Sequence, residues 1–176
     1  MMGESSGDNP SRVGRWYLLA CLIVVVDQLT KYWVSSVFSY GETLELLPVL
    51  NLTLVHNMGA AFSFLSDAGG WQRWFFAVVS LVVSVVLVVW LYRLPARQTL
   101  LATALALVLG GAVGNLWDRV VLGHVVDFID FHYQNHHWPA FNVADAAITL
   151  GAALLILESF LAPKQSKLKV QSKNGL

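Results

Sequence analysis

Apolar residues fall along this chain in four long blocks, separated by two polar stretches and one short basic link. The first block runs from about Trp16 to Phe38 and is interrupted by Asp27 and Lys31. The second, Trp74 to Tyr92, and the third, Gln98 to Trp117, are uncharged apart from the link between them; the fourth, Val143 to Leu161, holds Asp145 and Glu158. Each is near the roughly 20 residues that a helix needs to cross about 30 Å of hydrocarbon. A helix also satisfies its own backbone hydrogen bonds, which a bilayer interior demands. The pattern predicts an all-α membrane protein with four transmembrane helices. Between the first two, Leu50-Asn51-Leu52-Thr53-Leu54 alternates with period two, predicting a small β-sheet in the first outer loop that rests on the membrane surface.

Composition agrees. Of 176 residues, 56% are hydrophobic and 12% charged, where soluble domains carry about a quarter charged. A formal net charge of zero gives no basic field for nucleic acid. The lone cysteine, Cys21, excludes an internal disulfide and a multi-cysteine metal site, and reads as a small buried apolar side chain. Basic residues set the orientation. Arg12 and Arg15, then Arg93 and Arg97, then Lys164, Lys167, Lys169 and Lys173 fall on one side, against Arg73 and Arg119 on the other. The excess of positive charge predicts cytoplasmic termini and outward loops at 39–73 and 118–142. The chain thus divides into a cytoplasmic segment at 1–15, a membrane domain at 16–163 and a lysine-rich cytoplasmic tail at 164–176, expected to be disordered. Leu18-Leu19-Ala20-Cys21 has the look of a lipoprotein processing box, but the apolar core before it is too short, so the first block is read as an uncleaved helix.

Polar residues converge at one depth. Counting up the third helix from Arg97 puts Asn115 roughly 27 Å along, and counting up the fourth from Lys164 puts Asp145 at about 28 Å. Asp118, Arg119 and Asn142 lie beside them, and Asp127 comes from the loop joining these helix ends. Ionisable residues at such a depth are costly and mark function by default. Two carboxyls sharing one proton can activate water and protonate a leaving amine. In the first outer loop, His56-Asn57-Met58-Gly59 adds an amide with donor and acceptor and a glycine for a tight turn.

Five stretches carry a resemblance: Asp27-Gln28-Leu29-Thr30-Lys31, Asn57-Met58-Gly59-Ala60-Ala61-Phe62, Gly110 to Arg119, Gly123 to Asp130, and Phe141 to Ile148. Over nearly its whole length the chain resembles the signal peptidase II family of bacteria, intramembrane aspartic proteases that remove signal peptides from diacylglyceryl-modified prolipoproteins. The resemblance implies Asp127 and Asp145 as the catalytic pair and Asn57, Arg119 and Asn142 as substrate-site residues. It implies Asn115 and Asp118 in a supporting motif, to which Gly59, Asp27 and Lys31 are added here. It implies no cofactor, a location in the bacterial inner membrane, and lipid-modified prolipoproteins and membrane lipids as partners; a monomer is expected.

Plainer readings stand beside these. Asn142 can be the N-cap of the fourth helix and Asp145 its third residue, a variant capping box; a helix N-terminus also holds one carboxylate ionised, so the two readings are compatible. That leaves Asp127, flanked by Val126 and Phe128, as the member expected to hold the proton. Asp27 and Lys31 are spaced for a helical ion pair, and Asp118 and Arg119 can be interfacial anchors. Gly110, Gly111 and Gly114 suit close helix approach. His132, His136 and His137 raise a metal reading, but no zinc-protease spacing accompanies them, and a wet interfacial cluster is favoured. A proton-coupled transporter and a non-catalytic scaffold remain the rival functions.

Overall fold

A computed structural model describes residues 10–59, 70–95 and 97–161. Ala60, Ala61 and Phe62 of the second motif, and the lysine-rich tail, lie outside the described residues. The order of elements is α1 (Pro10–Val37), β1 (Thr43–Leu47), β2 (Leu50–Asn57), α2 (Trp71–Arg93), α3 (Thr99–Val121), β3 (Val125–Tyr133), β4 (His136–His137) and α4 (Val143–Leu161). The four helices are long and apolar enough to cross a membrane, as the four blocks predicted.

Helix α3 is the axis of the bundle and packs against the other three. Its composition explains why. Ala102, Ala104, Ala106, Gly110, Gly111, Ala112 and Gly114 are all buried, and small residues let backbones approach where lipid supplies no hydrophobic drive between helices. A Cβ on Gly110 would lie 2.8 Å from the carbonyl oxygen of Ala20 in α1. One on Gly111 would collide with the carbonyl of Ala144 at the start of α4, and one on Gly114 would sit 2.6 Å from Asp27 Oδ2. Helix α2 buries Ala77, Ser84 and Leu91 at a spacing of seven, together with Leu87. Its other faces expose Val78, Val82, Val85 and Val89, as a lipid-facing surface would. Cys21, expected inside, is exposed on α1: it lies on the side turned away from the bundle, where a small thiol is as acceptable to lipid as to protein.

The small sheet is larger than the sequence pattern foretold. Strands β1, β2, β3 and β4 form one antiparallel sheet in that order, so half of it comes from the second outer loop. Asp127 therefore lies on a strand, paired with Val55, rather than in irregular loop. Strand β3 buries Val125, Val126, Asp127 and Phe128 in succession. With both faces covered it has no apolar–polar alternation, the cue that reveals a half-buried strand. Val34 from α1 and Phe38 just after it pack with Leu54, Val126 and Phe128, seating the sheet on one end of the bundle.

Helix α3 also runs past Trp117 to Val121, placing Asp118 and Arg119 in its last turns. Arg73 explains the extension: its Nε donates to the carbonyl of Arg119 at 2.6 Å and its Nη2 to that of Val120 at 2.8 Å. Gly123, at φ +88°, then reverses the chain, its N–H returning to the carbonyl of Asp118, as a left-handed residue closing a helix does.

Close approach at Gly111 makes a prediction. Gly111→Ala should lower stability by about 1–3 kcal/mol, the usual cost of overpacking. Gly14→Ala, with nothing within 4 Å, should be neutral or gain up to about 1 kcal/mol of helix propensity. Thermal unfolding of both variants in one detergent checks this; equal midpoints would contradict the packing described.

Candidate active site

The polar residues meet where α1, the end of α3, the start of α4 and the sheet come together. Helix α4 begins with the capping box read from the sequence. Asn142 Oδ1 accepts the Asp145 N–H at 2.9 Å, and Asp145 Oδ2 accepts the Asn142 N–H at 3.2 Å. The next orphan donor of this terminus, the N–H of Ala144, goes to Asp27 Oδ1 of α1 at 2.9 Å. An acidic side chain there also complements the helix dipole.

Asn142 bridges the two aspartates. Fully buried, it uses its carbonyl for the cap and its Nδ2 to donate to Asp127 Oδ1 at 2.7 Å. The other oxygen of Asp127 accepts from Asn57 Nδ2 at 2.9 Å. Asn57 is itself aimed by Gly59, whose N–H donates to its Oδ1 at 2.9 Å. Gly59 has φ +104°, and a Cβ there would strike the Phe76 ring, so the turn demands glycine on both counts. Asp145 Oδ1 accepts from Asn115 Nδ2 at 2.7 Å.

Beneath this pair lies a buried charge cluster. Lys31 Nζ is 2.8 Å from Asp27 Oδ2, 2.9 Å from Asp118 Oδ2 and 3.0 Å from Asn115 Oδ1. The ion pair expected from the spacing of Asp27 and Lys31 is thus one arm of a larger set. Asp118 is not an interfacial anchor: it is fully buried, and also accepts the Val126 N–H from β3 at 3.2 Å and Gln28 Nε2 at 2.8 Å. Arg119 Nη1 donates to the Asn115 carbonyl at 3.1 Å. Its guanidinium carbon lies 5.4 Å from the centre of the Phe76 ring, and its buried Nε has no hydrogen-bond partner among the described residues.

Asp27, Lys31, Asn57, Gly59, Asn115, Asp118, Arg119, Asp127, Asn142 and Asp145 all join this one assembly. Sequence reasoning passed over Gln28, Arg73 and Phe76. An amide in an apolar helix was the available signal for Gln28; Arg73 and Phe76 offered none. It also missed a second polar pairing across the sheet, where Asn51 Nδ2 donates to buried Asp130, which His137 Nδ1 meets at 2.9 Å. The histidines do not gather as ligands. His132 stacks on His137 at 5.0 Å, His136 is exposed, and among the described residues no three His, Cys, Asp or Glu side chains converge on a metal position.

These observations define a class: a four-span membrane protein with two carboxyls held side by side at one end of its bundle. Comparison with known proteins gives the family. The family model described as Signal peptidase (SPase) II matches residues 19–161. The lipoprotein signal peptidase of Acinetobacter baumannii is 55% identical over 150 residues, covering 85% of each chain. That of Yersinia enterocolitica is 54% identical over 151 residues, covering 86% of this chain and 89% of its own. A bacterial membrane enzyme solved in meso at 2.3 Å resolution superposes with a TM-score of 0.76 at 33% identity, covering 89% of this chain and 93% of that one. The chain belongs to the signal peptidase II family and is a multi-pass protein of the bacterial inner membrane.

The electrostatics single out Asp127. Burial pushes the Asp127 carboxyl up to about 7, with the charge of Asp145 adding to the effect and the Asn57 and Asn142 hydrogen bonds opposing it. In the folded protein Asp127 binds a proton that the unfolded chain releases near pH 4. Its contribution to stability is therefore complete below that value and is lost as pH rises through about 7. Infrared difference spectra against Asp127→Asn should show a carboxyl band titrating near 7, moved higher in Asn57→Ala. A band that titrates near 4 would refute the assignment.

Proposed function

We propose that this chain is a lipoprotein signal peptidase: an intramembrane aspartic endopeptidase that cuts the signal peptide from diacylglyceryl-modified prolipoproteins just before the lipidated cysteine. The observation that carries this reading is the pair Asp127 and Asp145, bridged by Asn142, with the Asp127 carboxyl pushed up to about 7, in a chain of the signal peptidase II family.

Asp145 has a donor on each oxygen, from Asn115 and the helix terminus, and acts as the base. It takes a proton from water as the water oxygen attacks the scissile carbonyl. Asp127, protonated, gives its proton to the carbonyl oxygen, forming a tetrahedral gem-diol. Collapse returns that proton to the Asp127 carboxylate and passes the one held by Asp145 to the leaving nitrogen. Both carboxyls end as they began, and no covalent intermediate forms. Asn57 and Arg119 position the substrate backbone, which enters lipid with amides in need of partners; among the described residues the Arg119 Nε has no acceptor of its own. Asn142, already bonded to both aspartates, holds the pair at its spacing. The acyl chains remain in the bilayer and supply binding energy remote from the reacting bond.

The orientation follows from the basic residues: termini in the cytoplasm, the sheet and the dyad at the outer face. On this reading the enzyme works as a monomer. The transporter alternative expects acids near the midplane and two related halves; here the acids sit at one end of the bundle, in a peptidase family.

The reconstituted chain should cleave a diacylglyceryl peptide at one bond. Asp127→Asn or Asp145→Asn alone should abolish nearly all cleavage, and the double variant should be scarcely worse, because groups acting together are strongly non-additive. Asn57→Ala, Asn142→Ala and Arg119→Ala should each cost on the order of 10-fold to 1,000-fold. Either aspartate variant within about tenfold of the parent would make that residue structural. Reporter fusions after Val37, Pro95, Tyr133 and Lys167 should read out, in, out, in; a cytoplasmic Tyr133 would reverse the orientation.

A further inference from the structure

The buried ammonium of Lys31 reaches the dyad in two steps. An ammonium has three N–H donors and no acceptor, and Lys31 has three acceptors within 3.0 Å: Asp27 Oδ2, Asp118 Oδ2 and Asn115 Oδ1. The third contact is the shorter of two donations to Asn115 Oδ1, the other coming from Asn142 Nδ2 at 3.3 Å, and together they turn the Asn115 amide. With Oδ1 receiving Lys31, Nδ2 is the end left to face Asp145 Oδ1, at 2.7 Å. The flipped amide would set an NH₂ group against the ammonium and a carbonyl oxygen against the carboxylate, unfavourable at both ends. The other Asp145 oxygen meets the Asn142 N–H. Both oxygens of that carboxyl are therefore occupied by donors, the arrangement that suits an ionised, acceptor-only group.

We propose that Lys31 is a positioning residue for hydrolysis: acting through Asn115, it fixes the donor that keeps Asp145 in its unprotonated, water-activating form. This rests on the dyad reading above and assigns one cause of its asymmetry. The cluster is then more than an anchor between helices. Its polarity runs one way, from ammonium to amide oxygen to amide nitrogen to carboxylate. Among the described residues, the other charged groups in this region are Asp127 on β3, Arg119 and Asp118 on α3, and Asp27 on α1, whose Oδ1 accepts the Ala144 N–H one residue away.

The test is a pH profile of kcat and KM for the full chain in lipid bilayers, cleaving a diacylglyceryl peptide. Asn115→Ser shortens the relay without altering charge. Lys31→Met with Asp118→Asn removes the ammonium together with one of its two carboxylate partners, so the cluster keeps its net charge. In each, kcat should fall and its acidic limb should move up by about one pH unit, the effect of losing one hydrogen bond to a carboxylate, while KM stays near the parent's. A cluster that only braces helices would lower the yield of folded protein and leave the limb in place, and an unmoved limb in folded Asn115→Ser overturns the proposal. If the double variant does not fold, Asn115→Ser decides alone. Failure of the dyad reading shows elsewhere, as cleavage that survives Asp127→Asn or Asp145→Asn.

Discussion

One buried ammonium constrains this molecule more than any other group. Lys31 sits inside an apolar bundle with 3% of its side-chain surface exposed. A charge in such a place costs several kcal/mol unless paired and hydrogen-bonded. Asp27 one turn earlier on α1 is not enough, because it leaves two donors unmet. The remaining acceptors, Asp118 and Asn115, both lie on α3, so α1 must pack against α3 in one register. Asp27 then spends its other oxygen on the N-terminus of α4. A single cation and its two carboxylates thus tie three of the four helices at one depth, in a solvent where apolar contact alone does not choose between registers.

The proposed catalytic apparatus is built on that knot from parts that would be needed anyway. Helix α4 requires a cap, and Asn142 and Asp145 form one; the same two residues then hold and supply half of the dyad. Asp118 fixes the start of β3 through the Val126 N–H, and the next residue on that strand is Asp127. Asn57 is aimed from β2 by the turn at Gly59. Stability and chemistry share residues here, so substitutions in this region are expected to affect both. The informative variants are those whose pH profile or kcat changes while the folded yield does not.

Much of this was legible in the sequence, for physical reasons that differ by residue. The four helices showed because a membrane span needs length and apolarity together. The Asn142–Asp145 capping box and the Asp27–Lys31 pair showed because both are local, at fixed spacing along one helix. Strand β3 did not, because with Val125, Val126 and Phe128 all buried it lacks a solvent face and hence a period. Pairing Asp118 with Lys31 spans 87 residues and leaves no local trace. The grip of Arg73 on the end of α3, which carries the helix about one turn beyond Trp117, is likewise a contact between distant segments. Cys21 was placed inside on the behaviour of cysteine in water-soluble cores, where outside means water; here outside means lipid.

The central claim is that Asp127 and Asp145 act together on one tetrahedral centre. It is tested most directly by a structure of the full chain in lipid with a diacylglyceryl peptide whose scissile amide is replaced by a hydroxyethylene group. The account predicts that hydroxyl between the two carboxyls, within about 3 Å of an oxygen from each, with Asn142 still bridging them. A hydroxyl bound to only one aspartate, or lodged elsewhere in the bundle, would contradict it.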